Sequence, residues 1–231
     1  RENGRPYGFF YGYLHDGIFQ NQQEIDSYTY VDSNGKTQLI QPNAKPGDIR
    51  FKDLDGENGL NGDDRTMIGK PNPDWTYGFT LSADWKGFDF SVLLQGATRS
   101  SIYLQGDIAW DNSWGNYFEE HIGRWTPETA ATATYPRFTK AATATHPNYY
   151  KSDYWLKDSK YLRLKNIQLG YTIPRKLLKK FGIRSLRVYT NAYNLLTWDN
   201  VKKVDPESPN NSNGQFYPQQ KVINFGINLN F

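Results

Sequence analysis

The sequence has no cysteine and one methionine in 231 residues. Without cysteine neither a disulfide scaffold nor a thiolate metal site can form, although the compartment stays open because exported proteins also lack it. No apolar run approaches the roughly 20 residues of a spanning helix, so any membrane crossing must be made by strands. Acids and bases nearly balance, 24 against 27. The one clear basic run, "RKLLKK" at 175–180, is too small for a nucleic-acid footprint. The histidines, His15, His121 and His146, show no H-E-x-x-H spacing, and there is no G-x-S-x-G elbow, phosphate loop or dinucleotide fingerprint. Glu119 and Glu120 beside His121 point apart on any regular element. These absences argue against an enzyme. The chain opens on Arg1 with no signal-like apolar stretch and is read as a piece of a longer or processed protein.

Aromatic residues are abundant, at 16%, and they fall into an alternating pattern. In "TYGFTLSADW", Tyr77, Phe79, Leu81, Ala83 and Trp85 share one face, and Thr76, Gly78, Thr80, Ser82 and Asp84 the other. After a turn at Lys86 and Gly87, "FDFSVLLQGAT" sets Phe88, Phe90, Val92 and Leu94 against Asp89, Ser91 and Gln95, which predicts a hairpin. The terminal "KVINFGINLNF" places Ile223, Phe225, Ile227, Leu229 and Phe231 on one face and Asn224, Gly226, Asn228 and Asn230 on the other. "YLRLKNIQLGYTI" has Ile167, Leu169, Tyr171 and Ile173 in phase with Leu162 and Leu164 on the opposite parity: either a bulge shifts the phase near Lys165, or the first residues stand above the buried band. "RSLRVYTNAYNLLTW" alternates less cleanly, and the aromatic, Gly-punctuated "YGFFYGYLHDGIF" reads as a strand running into a loop. "PRKLLKKFG" predicts a short helix between Pro174 and Gly182.

The connections alternate between short and long. Residues 20–75, 98–159 and 197–219 are far longer than the structureless loops of compact domains, whereas outer-membrane barrels pair short periplasmic turns with long extracellular loops. If 76–85 runs inward, then 88–97 runs outward, 160–173 inward, 185–196 outward and 220–231 inward. Every short turn then falls on the inner side, with Trp85, Phe88, Tyr171 and Phe231 at one interface, as an aromatic girdle requires. A soluble β-sandwich shows the same alternation with its apolar face on a core. The two readings differ in whether Tyr77, Phe79, Leu81, Trp85, Phe88, Phe90, Val92, Ile227 and Leu229 face lipid or a second sheet.

Two constellations could carry binding. "DLDGENGLNGDD" has the oxygen spacing of a calcium loop: Asp53, Asp55 and Glu57, the Gly59 carbonyl, Asn61 and Asp64 in positions one, three, five, seven, nine and twelve. Asn58 stands where glycine is usual, and a polar turn needing no ion uses the same residue types. "DIAWDNSWGNYFEEHIGRW" groups Trp110, Trp114, Tyr117 and Trp125 with Asp111. Such a group can stack on sugar rings or pack a protein partner, or the loop can pack on itself.

"GFFYGYLHDGIF", "PGDIRFKDLDGENGLNGDDRTMIGKPNPDWTYGFTLSADWKGFDFSVLLQG", "RWTPETAATATYPRF", "YLRLKNIQLGYTIP" and "SLRVYTNAYNLLTW", followed by the terminal strand, resemble in correct order the C-terminal part of SusC/RagA-type TonB-linked outer-membrane proteins. The resemblance implies an all-β, antiparallel segment of about six strands from a plugged barrel of about 22. It implies residence in the bacterial outer membrane and import of oligosaccharides or peptides with a SusD-like surface lipoprotein. The TonB machinery would act through a plug lying outside this segment, and Phe231 would be the aromatic terminus read by the barrel-assembly machinery. The alternative is a soluble secreted β domain that binds calcium and glycan through the same loops.

Overall fold

The computed structural model describes residues 3–111, 117–140, 145–202, 204–208 and 216–231. In chain order the strands are β1 Phe10–Gly12, β2 His15–Ile18, β3 Thr29–Val31, β4 Thr37–Leu39, β5 Ile49–Phe51, β6 Thr66–Gly69, β7 Trp75–Trp85, β8 Phe88–Thr98, β9 Ser101–Tyr103, β10 Leu156–Asp158, β11 Tyr161–Thr172, β12 Ser185–Asp199 and β13 Val222–Asn230. The chain divides into a unit built largely from Arg1–Pro71 and Ser101–Lys157 and a second unit that contains the long strands.

The long strands form one antiparallel sheet in the order β13-β12-β11-β8-β7. β7 and β8 pair in unbroken register from Trp75↔Thr98 to Trp85↔Phe88 around the Lys86–Gly87 turn, where both residues have positive φ. The phase change in β11 is a bulge: Leu164 pairs with Leu94 and Asn166 with Leu93, so Lys165 is the extra residue. β12 answers with its own, for Leu164 pairs with Leu196 and Asn166 with Tyr193, and Asn194 takes φ 51°. These two shifts put Leu162, Leu164, Leu196 and Trp198 on the same face as Ile167, Leu169 and Val188, which accounts for the ragged alternation of both sequences.

One face of the sheet is apolar and open. Phe79 is 58% exposed and Ile227 69%, and Tyr77, Leu81, Trp85, Phe88 and Leu229 are exposed with them. Phe90 and Val92, on a strand flanked on both sides, are half-buried. No second sheet covers this face among the described residues. Trp85, Phe88 and Tyr171 lie in one register row at the short-turn end, the last two with ring centroids 4.5 Å apart. Phe231 follows β13 at that same end, one residue past the Ser185↔Asn230 pair. The turn there is a helix, α2 Arg175–Leu178, which starts after Pro174, continues as a 3-10 turn and ends at Gly182 with φ 69°.

The other face is polar and cross-braced. Arg187 reaches Asp89 at 2.8 Å, passing over Gly170, where any Cβ would strike both side chains. Tyr189 likewise covers Gly226 directly opposite it, which explains why a tyrosine stands out of phase with the apolar face. Nearer the other end, Arg163 is 1% exposed. It donates to both Asp205 oxygens at 2.8 and 2.7 Å, to Glu207 at 2.5 Å and to Thr197 Oγ1 at 3.0 Å. Lys165 joins Glu207 at 3.0 Å. A fully paired arginine of this kind pins the segment after β12 to the sheet.

The sheet has five long strands; the segment "YGFFYGYLHDGIF", expected as a further strand, does not join it. It breaks into β1 and β2, which pair with β6 and β5 inside the other unit. Two glycines mark the break: Gly17 has φ 101°, and a Cβ at Gly12 would collide with the carbonyl of Lys151, far along the chain. The unit holding β1 and β2 has a conventional core of Phe19, Ile25, Ile49, Phe51, Tyr149 and Trp155. The described parts of the connections 20–75 and 98–159 are therefore folded. Within them the helix α1 Gln22–Ser27 begins at Asn21, whose side chain accepts the Glu24 N–H at 2.9 Å.

Candidate functional site

The aromatic cluster of the first unit is assembled around Gly12. Because that residue has no side chain, the 150–153 segment lies against 11–13: Tyr13 N–H donates to the Lys151 carbonyl at 2.9 Å, and Asp153 N–H to the Tyr13 carbonyl at 3.1 Å. His15 closes the junction, its backbone N–H and its Nδ1 each 2.7 Å from Asp153 Oδ1. Burial pushes the Asp153 carboxyl up, but the hydrogen bonds from the His15 ring and backbone outweigh it and leave the group below the ordinary carboxylate range.

Beside this junction is a cavity of about 350 Å³. Its walls are the rings of Tyr11, Tyr13, Tyr103, Trp110, Tyr149 and Tyr150. Its other side chains are Arg65, Lys151 and Gln105. The Arg65 guanidinium sits 5.1 Å from the Tyr13 ring centre, and Lys151 Nζ sits 5.5 Å from that of Phe10 and 5.8 Å from that of Tyr103. Lys151 is pushed down by desolvation. The Trp110 ring lies 5.0 Å from Tyr149, and its indole N–H is buried with no acceptor among the described residues.

The aromatic group named from sequence separates into parts. Trp110 lines the cavity. Asp111 does not: it is fully buried, with the hydroxyl of Tyr149 on Oδ1 and the N–H of Thr139 on Oδ2 at 2.9 Å. Burial, followed by the bond to this carboxylate, raises the Tyr149 hydroxyl above its usual range. Asp111 is thus the internal tie of the loop, its oxygens already taken by the chain. Trp125 packs against Gly47, where a Cβ would lie 2.6 Å from the indole, and its backbone N–H donates to the Tyr135 carbonyl at 2.8 Å. Tyr117 is exposed, 5.4 Å from Phe138. Trp114 lies outside the described residues. Sequence reasoning missed Arg65, Lys151, Tyr103 and the tyrosines beside Gly12, which come together only through long-range contact.

The acidic loop splits likewise. Asp53, Asp55 and Asp64 each offer an oxygen within 4.8 Å of the others. Asp64, fully buried, also accepts the N–H groups of Leu54 and Asn61, both at 2.7 Å. Burial and the neighbouring carboxylates of Asp64 and Asp55 raise Asp53, one of whose oxygens is buried without a donor. Asn58 has φ 60°, the left-handed turn expected at that position. Glu57 is not part of the cluster, and Asn61 turns its amide onto the Gly59 carbonyl at 3.0 Å. Of the four carboxylates named from the spacing, Asp53, Asp55 and Asp64 cluster and Glu57 does not.

No family model matches the chain. It is 29% identical over 99% of its length to TonB-dependent receptor P3 of Formosa agariphila, covering 22% of that protein. It is 25% identical over 84% of its length to TonB-dependent receptor SusC of Bacteroides thetaiotaomicron, covering 19%. Its fold matches the RagAB peptide transporter with a TM-score of 0.68 at 24% identity, over 96% of this chain and 22% of that one. The same transporter in its "open-open" state, described as a peptide importer, gives 0.67. The chain spans about a fifth of the length of the curated relatives cited here.

Proposed function

We propose, from its kinship with the SusC/RagA-type TonB-linked outer-membrane proteins, that this chain supplies wall and loops to a TonB-dependent importer. The bacterial outer membrane is where its relatives work, and the five-stranded sheet is part of the barrel that crosses it. Ligand is captured by the folded loop unit, a SusD-like lipoprotein partners the barrel mouth, and TonB supplies energy through a plug. The cargo is an oligosaccharide or a peptide, and passage involves no bond chemistry; the relatives are receptors and importers. Phe231 is the assembly signal in this reading.

One observation carries the proposal: aromatic and aliphatic side chains from all five long strands stand exposed on one continuous face while an arginine is buried on the other. Hydrocarbon is the solvent that makes such a sheet stable. The soluble-domain alternative needs a cover for Phe79 and Ile227, and both are more than half exposed. Fractionation and uptake test the proposal together. The whole protein is expected in the outer-membrane fraction, soluble only with detergent, and uptake of its ligand is expected to stop when the gene or TonB is deleted. Recovery as a detergent-free monomer, or uptake indifferent to TonB, would overturn it.

The Asp53, Asp55 and Asp64 cluster is, in the same proposal, a structural calcium site that fastens this external loop. Calcium is expected to protect the segment around residues 53–64 from protease, with EDTA removing the protection and Asp64→Asn abolishing the difference. Equal cleavage with and without calcium would refute it.

A further inference from the structure

We infer that the cavity beside Gly12 is a subsite for an acidic sugar residue, its carboxylate or sulfate ester held by Arg65 and Lys151 and its ring stacked on the tyrosine and tryptophan walls. The inference rests on the import reading for its biological direction, but the binding it asserts is read on purified protein.

Three features point to an anion. Arg65 and Lys151 both line the cavity, and neither has a carboxylate in ion-pair range among the described residues. An anion at this cavity would meet two cations whose charge no described carboxylate cancels, in charge-assisted hydrogen bonds. Their positions over the Tyr13, Phe10 and Tyr103 rings hold both in place without neutralising either. Finally, Gln105 adds an amide at the same cavity, and no carboxylate lines it.

The walls favour a sugar over a peptide. Of the six aromatic residues at this cavity of about 350 Å³, Tyr11 is exposed and Trp110 and Tyr150 are half-buried; the volume is at the low end of small-ligand sites, and a pyranose offers flat C–H faces that stack on such rings. A peptide brings an amino terminus or basic side chains for which the lining holds no acid. Sequence gave no sign of this, since Arg65 and Lys151 are 86 positions apart.

The test is calorimetric titration of the whole protein in detergent. The panel comprises oligogalacturonate, oligoalginate and chondroitin sulfate fragments, each against a methyl-esterified or desulfated counterpart, with triglutamate as the peptide arm. At least one acidic oligosaccharide is expected to bind, its neutral counterpart at least tenfold more weakly. Carboxylated and sulfated arms identify the anion. Arg65→Gln and Lys151→Gln should each weaken binding at least fivefold, and Lys151→Arg should retain most of it. Both positions are exposed, so the variants keep the fold, which circular dichroism would verify. Equal binding of neutral and acidic sugars, no binding across the panel, or triglutamate binding as tightly as any sugar would overturn the inference. TonB-dependent uptake would still stand in each case, and loss of uptake would leave a measured affinity intact.

Discussion

The two units of this chain treat their large apolar side chains in opposite ways. In the loop unit the large apolar side chains Phe19, Phe51 and Ile49 are inside, together with the hydrogen-bonded carboxylates Asp48, Asp64 and Asp111. In the sheet Phe225 is 84% exposed, while Arg163 is the largest fully buried side chain among the described residues. The rule that apolar groups go inside holds only where water is the outside, and under the import proposal the sheet meets hydrocarbon instead. The boundary is sharp in sequence: Lys70 and Pro71 close one regime, and the exposed Trp75 begins the other four residues later.

The comparison is broken most severely at the buried centre of each unit. Arg163→Leu removes the partner of Asp205 and Glu207 and strands two carboxylates on the sheet; a loss of about 3–5 kcal/mol is expected. Phe51→Ala opens a cavity in the loop core at a similar cost of about 3–5 kcal/mol. Phe225→Ala, the same kind of truncation or smaller in chemical terms, should change stability little in detergent. Thermal denaturation of the purified variants ranks the three. A Phe225→Ala loss as large as that of Phe51→Ala would mean that both units fold against the same solvent.

A sharper test changes neighbouring residues on opposite faces of β7. Leu81 belongs to the open apolar face and Ser82 to the polar one. Leu81→Arg should cost about 2–4 kcal/mol at membrane depth, whereas Ser82→Arg should be nearly neutral. For a water-soluble sheet an exposed Leu→Arg costs almost nothing, so the measurement separates the solvents directly. Refolding into liposomes over a urea series gives the two values. Matching values would remove lipid from the account.

What could be read in the sequence follows the same divide. The hairpin, the bulge near Lys165 and the short helix ending at Gly182 were legible because a strand's period of two and a glycine's positive φ are local properties. The "YGFFYGYLHDGIF" segment misled because its aromatics resemble a wall strand; only the approach of Lys151 to Gly12 shows that the chain must break there. Site residues fared worse for a related reason. Asp111 looked like a ligand contact beside two tryptophans, yet Tyr149 and Thr139, 38 and 28 positions later, consume its oxygens. Proximity in sequence supplied the aromatic residues, but tertiary folding decided which of them face a cavity.

Acid should sharpen the contrast by the smallest step, at the junction that shapes that cavity. Asp153 is held below the ordinary carboxylate range because the His15 hydrogen bonds outweigh burial. A depressed carboxyl contributes stability that is fully present above its unfolded value and is lost as pH falls through the folded one. The pair is partly exposed, 39% for His15 and 28% for Asp153, so solvent screening keeps the effect to about 1 kcal/mol or less. Hydrogen exchange at 11–15 and 149–153 should therefore accelerate as pH falls through that window, after correction for intrinsic exchange. Asp153→Asn should speed exchange at neutral pH and flatten its pH dependence, leaving β11 unchanged. If the variant kept the wild-type pH slope, the acid sensitivity would belong to another carboxyl, and the His15 contact would be a packing detail rather than the clasp of the loop unit.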